Sequence, residues 1–311
     1  MDPVKIIRLK ESILADNDAD AEELRRQTKD AGLCYVNLMS SPGSGKTSTI
    51  LALIDALKKR GGVTTPASAA AERADAHATN HSAARLTDDG RAAAHATNHS
   101  AAGQTDDGRA DAHAAAGLTD GANAATGQSS APLSIGVMEA DIDSDVDAQT
   151  IQDKAGVPAV QLHTGGMCHL DAEMSRQGLR ALGIPIVSRA TSILTMPSRQ
   201  RHFDLVILEN VGNLVCPAEF DTGADLNLVI LSVPEGDDKP LKYPLVFTKC
   251  DAVIINKIDA LPVFNFDIEK CTSRIRERSA SAEIFPVSAK TGEGIDRLAD
   301  WIETKVRSRI S

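Results

Sequence analysis

S-S-P-G-S-G-K-T at 40–47 follows the apolar run 33–39 and leads into 48–59, a segment patterned for a helix. Strand, glycine loop and helix in that order make a P-loop for nucleotide phosphates, with Ser40 in place of the usual first glycine. Gly43 and Gly45 let successive backbone N–H groups curl round phosphate oxygens. Lys46 reaches the β/γ oxygens, and Thr47 offers a hydroxyl to Mg²⁺. With Ser44 and Ser48, these residues form the candidate phosphate cradle. A chance glycine-rich turn with a surface lysine is the alternative, and it leaves the flanking apolar patterns without a reason.

The base is read further on. D-A-V-I-I-N-K-I-D at 251–259 is an apolar strand running into N-K-x-D. The Asp259 carboxylate can accept from both N1–H and the exocyclic amine of guanine, a donor pair that adenine lacks. Asn256 holds the loop and touches the base, while the stem of Lys257 lies along its apolar face. I-F-P-V-S-A-K at 284–290 is another strand, whose terminal loop of Ser288, Ala289 and Lys290 aims the Ala289 N–H at the guanine oxygen. After a P-loop, these signals select GTP over ATP.

The chain has 311 residues, 43 acidic against 33 basic, and a formal net charge of -10. That balance argues against a dedicated nucleic-acid surface. No apolar run is long enough to span a bilayer, and the N-terminus does not read as a secretory signal. Five cysteines are too few and too odd in number for a disulfide framework, so a reducing cytoplasm is the expected home. Cys34, Cys250 and Cys271 sit in or beside apolar or helical segments and are expected to be buried thiols.

Residues 61–132 contain no Lys, Phe, Tyr or Trp and only Val63, Leu86 and Leu118 as large aliphatics. Such a stretch has little to bury and is expected to be a disordered insertion in a single domain formed by 1–60 and 133–311. An 18-residue repeat aligns His77 with His95 and His113, and His81 with His99. Tolerated low-complexity duplication and weak metal buffering by the i, i+4 histidines both remain open.

Outside the insertion, short runs rich in Val, Ile and Leu at 134–139, 159–162, 184–187, 203–208, 226–233, 252–255 and 284–287 alternate with helix-length stretches. This predicts an α/β fold of the P-loop NTPase (G domain) class, a mostly parallel sheet flanked by helices with nucleotide loops at the carboxyl ends of the strands. A leader helix at 11–29 packs on one side, and a terminal helix at 294–309 closes the other. Asp141, Asp143, Asp145 and Asp147 follow a strand and read either as a solvated acidic loop or as a Mg²⁺ and water site. Glu209 and Gly212, in E-N-V-G, are placed to sense the γ-phosphate. Cys168, His169 and Cys216 offer three donors, one short of a tetrahedral structural zinc site, so metal binding and unliganded thiols both stand. Two chains related by a two-fold axis would be able to share them.

The strings S-S-P-G-S-G-K-T, T-G-G-M-C-H-L-D-A at 164, E-N-V-G-N-L-V-C-P at 209, E-G-D-D-K-P-L-K-Y-P at 235, N-K-I-D and S-A-K-T-G-E-G resemble the HypB family. Its members are hydrogenase maturation GTPases that act in nickel insertion. The resemblance covers essentially the whole chain except 61–132. It implies a nucleotide-dependent homodimer that binds GTP/GDP and Mg²⁺ and holds Ni²⁺ or Zn²⁺ at the subunit interface. By it the metal residues fall on Cys168, His169 and Cys216, and the magnesium-side acid on Asp141 beside Thr47. Implied partners are a hydrogenase maturation metallochaperone and the hydrogenase large-subunit precursor. Ala140 and Ser144 depart from the family's Gly and Thr, extra residues occur around 183–200, and no cysteine precedes Cys34. The rival readings are a nickel GTPase for another enzyme such as urease and a non-enzymatic metal-storage protein.

Overall fold

Alternation along β1 (Cys34–Ser40) organises the molecule, because successive side chains enter opposite layers. Cys34, Val36 and Leu38 join one core with α2 (Lys46–Gly61) and α6 (Ile295–Ile310), while Tyr35 and Met39 face the other side of the sheet. The computed structural model describes residues 3–61, 63–64, 131–141, 146–187 and 201–310, with side chains from residue 16 onward. Almost all of the expected insertion, its histidines, Asp143, Ser144, Asp145 and most of 183–200 lie outside the described residues.

The remaining strands are β2 (Val63–Thr64), β3 (Leu133–Asp141), β4 (Ala159–His163), β5 (Leu205–Glu209), β6 (Leu226–Ser232), β7 (Ala252–Asn256) and β8 (Glu283–Pro286). They form one sheet in the order β2-β3-β5-β1-β6-β7-β8, with β4 also on β3, and every strand pairing is parallel. The expected parallel α/β architecture is therefore present. The chain builds one half of the sheet as far as β5, then crosses β1 to begin β6. Loops at the carboxyl ends of β1, β5 and β7 consequently diverge around one crevice.

Helix α1 (Pro3–Asp30) extends the expected leader, and Asn17, Ala21, Leu24 and Thr28 form its buried stripe. It stops where Leu33 N–H donates to Thr28 O and Gly32 N–H to Lys29 O, with Gly32 at φ 63°, a Schellman end. Together with α4 (Ala172–Ala181) it covers the Tyr35 face; α3 (Val146–Ala155) lies on the opposite face, and α5 (Ile268–Arg276) covers β7 and β8 on the Met39 side. The terminal helix closes the Val36 face through Ile295, Leu298, Ile302 and Val306.

One expected strand is absent. Residues 184–187 are irregular, because Pro185 has no N–H for a ladder and Ile186 N–H turns back to Ile184 O. Ile184 and Ile186 are nevertheless buried, covering the Phe203 side of the core as a loop. Their apolar run reports burial, not extension in a sheet.

Candidate nucleotide site and metal centre

The turn after β1 requires left-handed backbone at Gly43 (φ 75°) and Gly45 (φ 94°), conformations that favour glycine. Ser40, the departure from the usual pattern, organises the loop from below. Its hydroxyl accepts from Lys46 Nζ at 3.0 Å and from Ser44 Oγ at 2.6 Å, and donates to Ser41 O. Lys46 is thereby held at the floor of an open cleft of about 560 Å³, lined by Gly43, Gly45, Thr47, Ser48, Glu139, Asp141, Glu209, Gly212 and Lys257 among others.

Asn256 ties the base side to the phosphate side. From the end of β7, its Nδ2 donates to Ser44 O at 2.9 Å, while Oδ1 accepts from Lys257 N–H at 2.7 Å and Ala289 N–H at 3.2 Å. A Cβ on Gly45 would stand 2.7 Å from that Nδ2, so the glycine is also what lets the loops meet. Lys257 adopts φ 62° and donates from Nζ to Gly43 O at 2.7 Å. Ser288 Oγ donates to Asp259 Oδ1 at 2.7 Å, and Lys290 Nζ lies 4.0 Å from the other carboxylate oxygen. The structure brings together Asn256, Lys257, Asp259, Ser288, Ala289 and Lys290. The Ala289 N–H expected to meet a base oxygen donates here to Asn256.

On the opposite wall Glu139 and Glu209 are register partners on β3 and β5, both buried at the cleft. Thr47 Oγ1 donates to Glu209 Oε1 at 3.1 Å, and Lys46 Nζ is 4.0 Å from that oxygen. Burial, reinforced by the charge of Glu209, pushes the Glu139 carboxyl well above its ordinary range; burial also raises Glu209. Glu139 Oε1, Glu209 Oε2 and both polar atoms of Gln161 are buried without a protein partner. Such hard oxygen donors beside Thr47 and Asp141 suit Mg²⁺, whose charge would relieve the buried carboxylates.

The E-N-V-G loop starts from a ladder of buried amides. Asn210 Nδ2 donates to Asn37 Oδ1, and Asn37 Nδ2 to Asn227 Oδ1, each at 3.0 Å. Gly212 then passes so close to Pro42 that an added Cβ would lie 3.0–3.2 Å from its ring and backbone. Asn213 forms an isolated bridge with Ser40, donates from Nδ2 to Cys168 O at 3.2 Å, and accepts from Val215 N–H at 2.9 Å.

Cys168, His169 and Cys216 converge here, with their donor atoms all within 4.8 Å of one another. The two Sγ atoms are 2.9 Å apart. The His169 ring stacks on Phe220 at 3.8 Å between centroids, and its Nδ1 is buried without a protein partner. Burial lowers the pKa of His169, favouring the neutral imidazole that ligates metal. The Cys168 thiol is raised, chiefly through its hydrogen bond with Cys216. Two sulfurs and one imidazole suit Ni²⁺ or Zn²⁺ and leave one tetrahedral position to a further donor.

A family model described as the CobW/HypB/UreG nucleotide-binding domain matches residues 116–286. The hydrogenase maturation factor HypB of Azotobacter vinelandii is 33% identical over 310 residues, covering 98% of this chain and 73% of that protein. The chain belongs to the HypB family. The hydrogenase/urease maturation factor HypB of Helicobacter hepaticus is 32% identical, over 97% of this chain and 88% of its own. Among solved structures, HypB from Helicobacter pylori in complex with nickel matches with 28% identity and a TM-score of 0.61, covering 95% of this chain and 97% of that one. HypB from Archaeoglobus fulgidus shares the fold at a TM-score of 0.60 and 24% identity, over 94% and 99% of the two chains.

Within this HypB-family site, the roles of Glu139, Gln161, Asn213 and Ser40 emerge from the three-dimensional contacts. Glu139 does leave one trace in the sequence, as a charged residue inside the strand S-I-G-V-M-E-A. Lys239, in the E-G-D-D-K-P string, donates to Ser41 Oγ at 3.1 Å and so adds a second lysine at the loop margin.

Proposed function

We propose that this protein hydrolyses GTP with Mg²⁺ and couples nucleotide state to binding and delivery of nickel during [NiFe]-hydrogenase maturation. The observation that carries the reading is Asn213: its backbone bridges Ser40 of the P-loop while its side chain holds the Cys168 carbonyl, three residues before Cys216. Movement of the phosphate loop therefore has a short covalent and hydrogen-bonded route to the cluster.

In this mechanism Lys46 and the N–H groups of 43–48 neutralise charge on the transferring phosphoryl group. Thr47, with Asp141 and the Glu139/Glu209 pair, holds Mg²⁺, which supplies electrostatic stabilisation of the phosphates. Asp259 reads guanine, and Asn256 keeps the base and phosphate loops in register. Gly212 follows the γ-phosphate against Pro42, and Cys168, His169 and Cys216 hold the cargo metal, with zinc as the competing occupant. The curated relatives named as hydrogenase maturation factors support the client class, and the relative named for hydrogenase and urease marks urease as the second one. A nucleotide-dependent homodimer would supply the missing donors, with a partner metallochaperone and the hydrogenase large-subunit precursor as its contacts. One GTPase domain carries these functions, 1–60 and 133–311 together with β2 (Val63–Thr64), which the sheet claims from the start of the expected insertion, and the rest of 61–132 is dispensable for turnover. A reducing cytoplasm is the compartment this reading expects. Among the described residues no helix is long and apolar enough to cross a membrane.

GTP turnover by wild type and Lys46→Ala tests the catalytic part. The variant is expected to fold, bind guanine nucleotide more weakly and lose about a hundredfold or more in kcat. An unchanged kcat would refute the P-loop assignment.

A further inference from the structure

Among the described residues, helix α1 lines no part of the nucleotide cleft and supplies no donor to the cluster, yet it fastens both chain segments that carry the cluster. Asn17, buried on its inner face, donates from Nδ2 to Asp221 O at 3.0 Å and accepts from Ala172 N–H on Oδ1, also at 3.0 Å. Ala172 is three residues beyond His169 and begins α4, whose N-terminus is capped by Asp171 accepting from Met174 N–H at 2.8 Å. Asp221 directly follows Phe220, the ring stacked on His169, and Phe220 N–H donates to Cys216 O at 3.3 Å. One amide therefore spans the Cys168–His169 segment and the Cys216–Phe220 segment, which lie far apart in sequence.

Neighbouring contacts keep this amide in place. Arg25 donates from NH2 to Asp221 Oδ2 at 2.5 Å and from Nε to Ala224 O at 3.0 Å. Arg176, almost wholly buried on α4, donates to Asp20 O at 3.3 Å. Both ties lie C-terminal to Asn17, at Asp20 and Arg25, and they hold the helix against the same two segments that its amide joins. Both of those partners are backbone groups, so the bond lengths fix main-chain positions and, through them, the spacing of the donors.

We propose that Asn17 is a positioning residue for the Cys168/His169/Cys216 centre, setting the distance between its two ligand-bearing segments from outside the ligand shell. This rests on the metal-binding reading given above. Groups that orient ligands without touching metal typically change affinity by about 10- to 100-fold. That is the loss expected for Asn17→Ala. Asn17→Asp keeps the acceptor for Ala172 but sets a buried, charged oxygen against the Asp221 carbonyl, and should weaken nickel at least as much as Asn17→Ala.

The test is Ni²⁺ titration of the full chain against a competing chelator, read by thiolate-to-nickel absorption, with GDP affinity and Tm measured on the same samples. Wild type, Cys216→Ala, Asn17→Ala and Asn17→Asp are compared with Ile302→Ala, a core truncation in α6 on the other face of the sheet. Asn17→Ala should weaken nickel and alter the absorption band while GDP affinity stays within about twofold of wild type. Ile302→Ala should lower Tm and leave nickel affinity unchanged. Wild-type nickel affinity in both Asn17 variants, or an equal nickel loss in Ile302→Ala, would overturn the proposal. Nickel binding that is absent in wild type or indifferent to Cys216→Ala would instead overturn the functional reading, and this proposal with it.

Discussion

Replacing Asn256 with alanine removes three hydrogen bonds at once, those to Ser44 O, from Lys257 N–H and from Ala289 N–H. The residue is 1% exposed, so water does not readily replace the lost partners. At about 1 kcal/mol net for each bond, the sum is about 3 kcal/mol, more than a hundredfold in the folding equilibrium. The loss should appear without nucleotide, because all three bonds are made within the protein and two of them, to Ser44 and Ala289, reach other loops. Urea unfolding of the nucleotide-free protein, followed by fluorescence of Trp301, measures it; that ring lies 5.6 Å from Phe285 in the core. Gly45→Ala offers an internal check, since its Cβ would meet Asn256 Nδ2 at 2.7 Å. Its penalty should shrink in the Asn256→Ala background, leaving the part due to φ 94°. A change below about 0.5 kcal/mol for Asn256→Ala in nucleotide-free protein would refute the idea that this amide joins the two loops.

Other substitutions probe the remaining walls. Gly212→Ala should press on Pro42 and lower GTP turnover with little change in Tm; full turnover would remove Gly212 from the phosphate-sensing role. Alkylation at pH 8 should label Cys168 and Cys216 and spare Cys34, Cys250 and Cys271, whose thiols burial pushes up to about 12. Mass spectrometry showing equal labelling of all five would contradict the burial argument. The raised Glu139 carboxyl gives the native state extra bound protons, so its contribution is full below the ordinary carboxyl range and fades as pH rises through the folded value. In metal-free, nucleotide-free protein, Glu139→Gln should therefore flatten the fall in stability between pH 5 and about pH 8.5, as urea midpoints would show; parallel profiles would exclude that origin.

The P-loop was legible because its chemistry is local: Gly43, Gly45 and Lys46 act within one turn, and their order encodes the geometry. N-K-I-D was legible for the same reason, although only the fold reveals that Asn256 reaches Ser44 across 212 residues of sequence. Apolar runs located most strands but misread 184–187, since burial beneath Phe203 needs no hydrogen-bond ladder and Pro185 opposes one. Glu139 looked like the polar end of an ordinary strand until its register with Glu209 placed two carboxylates in one buried wall. Asn17 gave no signal, because a polar residue in a helix reads as surface unless its partners, here Ala172 and Asp221, are known. Local motifs are readable along the chain, while long-range polar contacts such as Asn256 with Ser44 are not.

Coupling itself is tested most directly by measuring Ni²⁺ and Zn²⁺ affinity of the full chain bound to GDP and to a non-hydrolysable GTP analogue, at fixed dimer fraction and with Cys216→Ala as control. The path from Pro42 and Ser40 through Gly212 and Asn213 to the cluster predicts affinities that differ between the two states by about 5- to 150-fold, with metal shifting the relative affinity for the two nucleotides by the same factor. Equal metal affinities in both states would contradict the account even if GTP hydrolysis and metal binding were each observed.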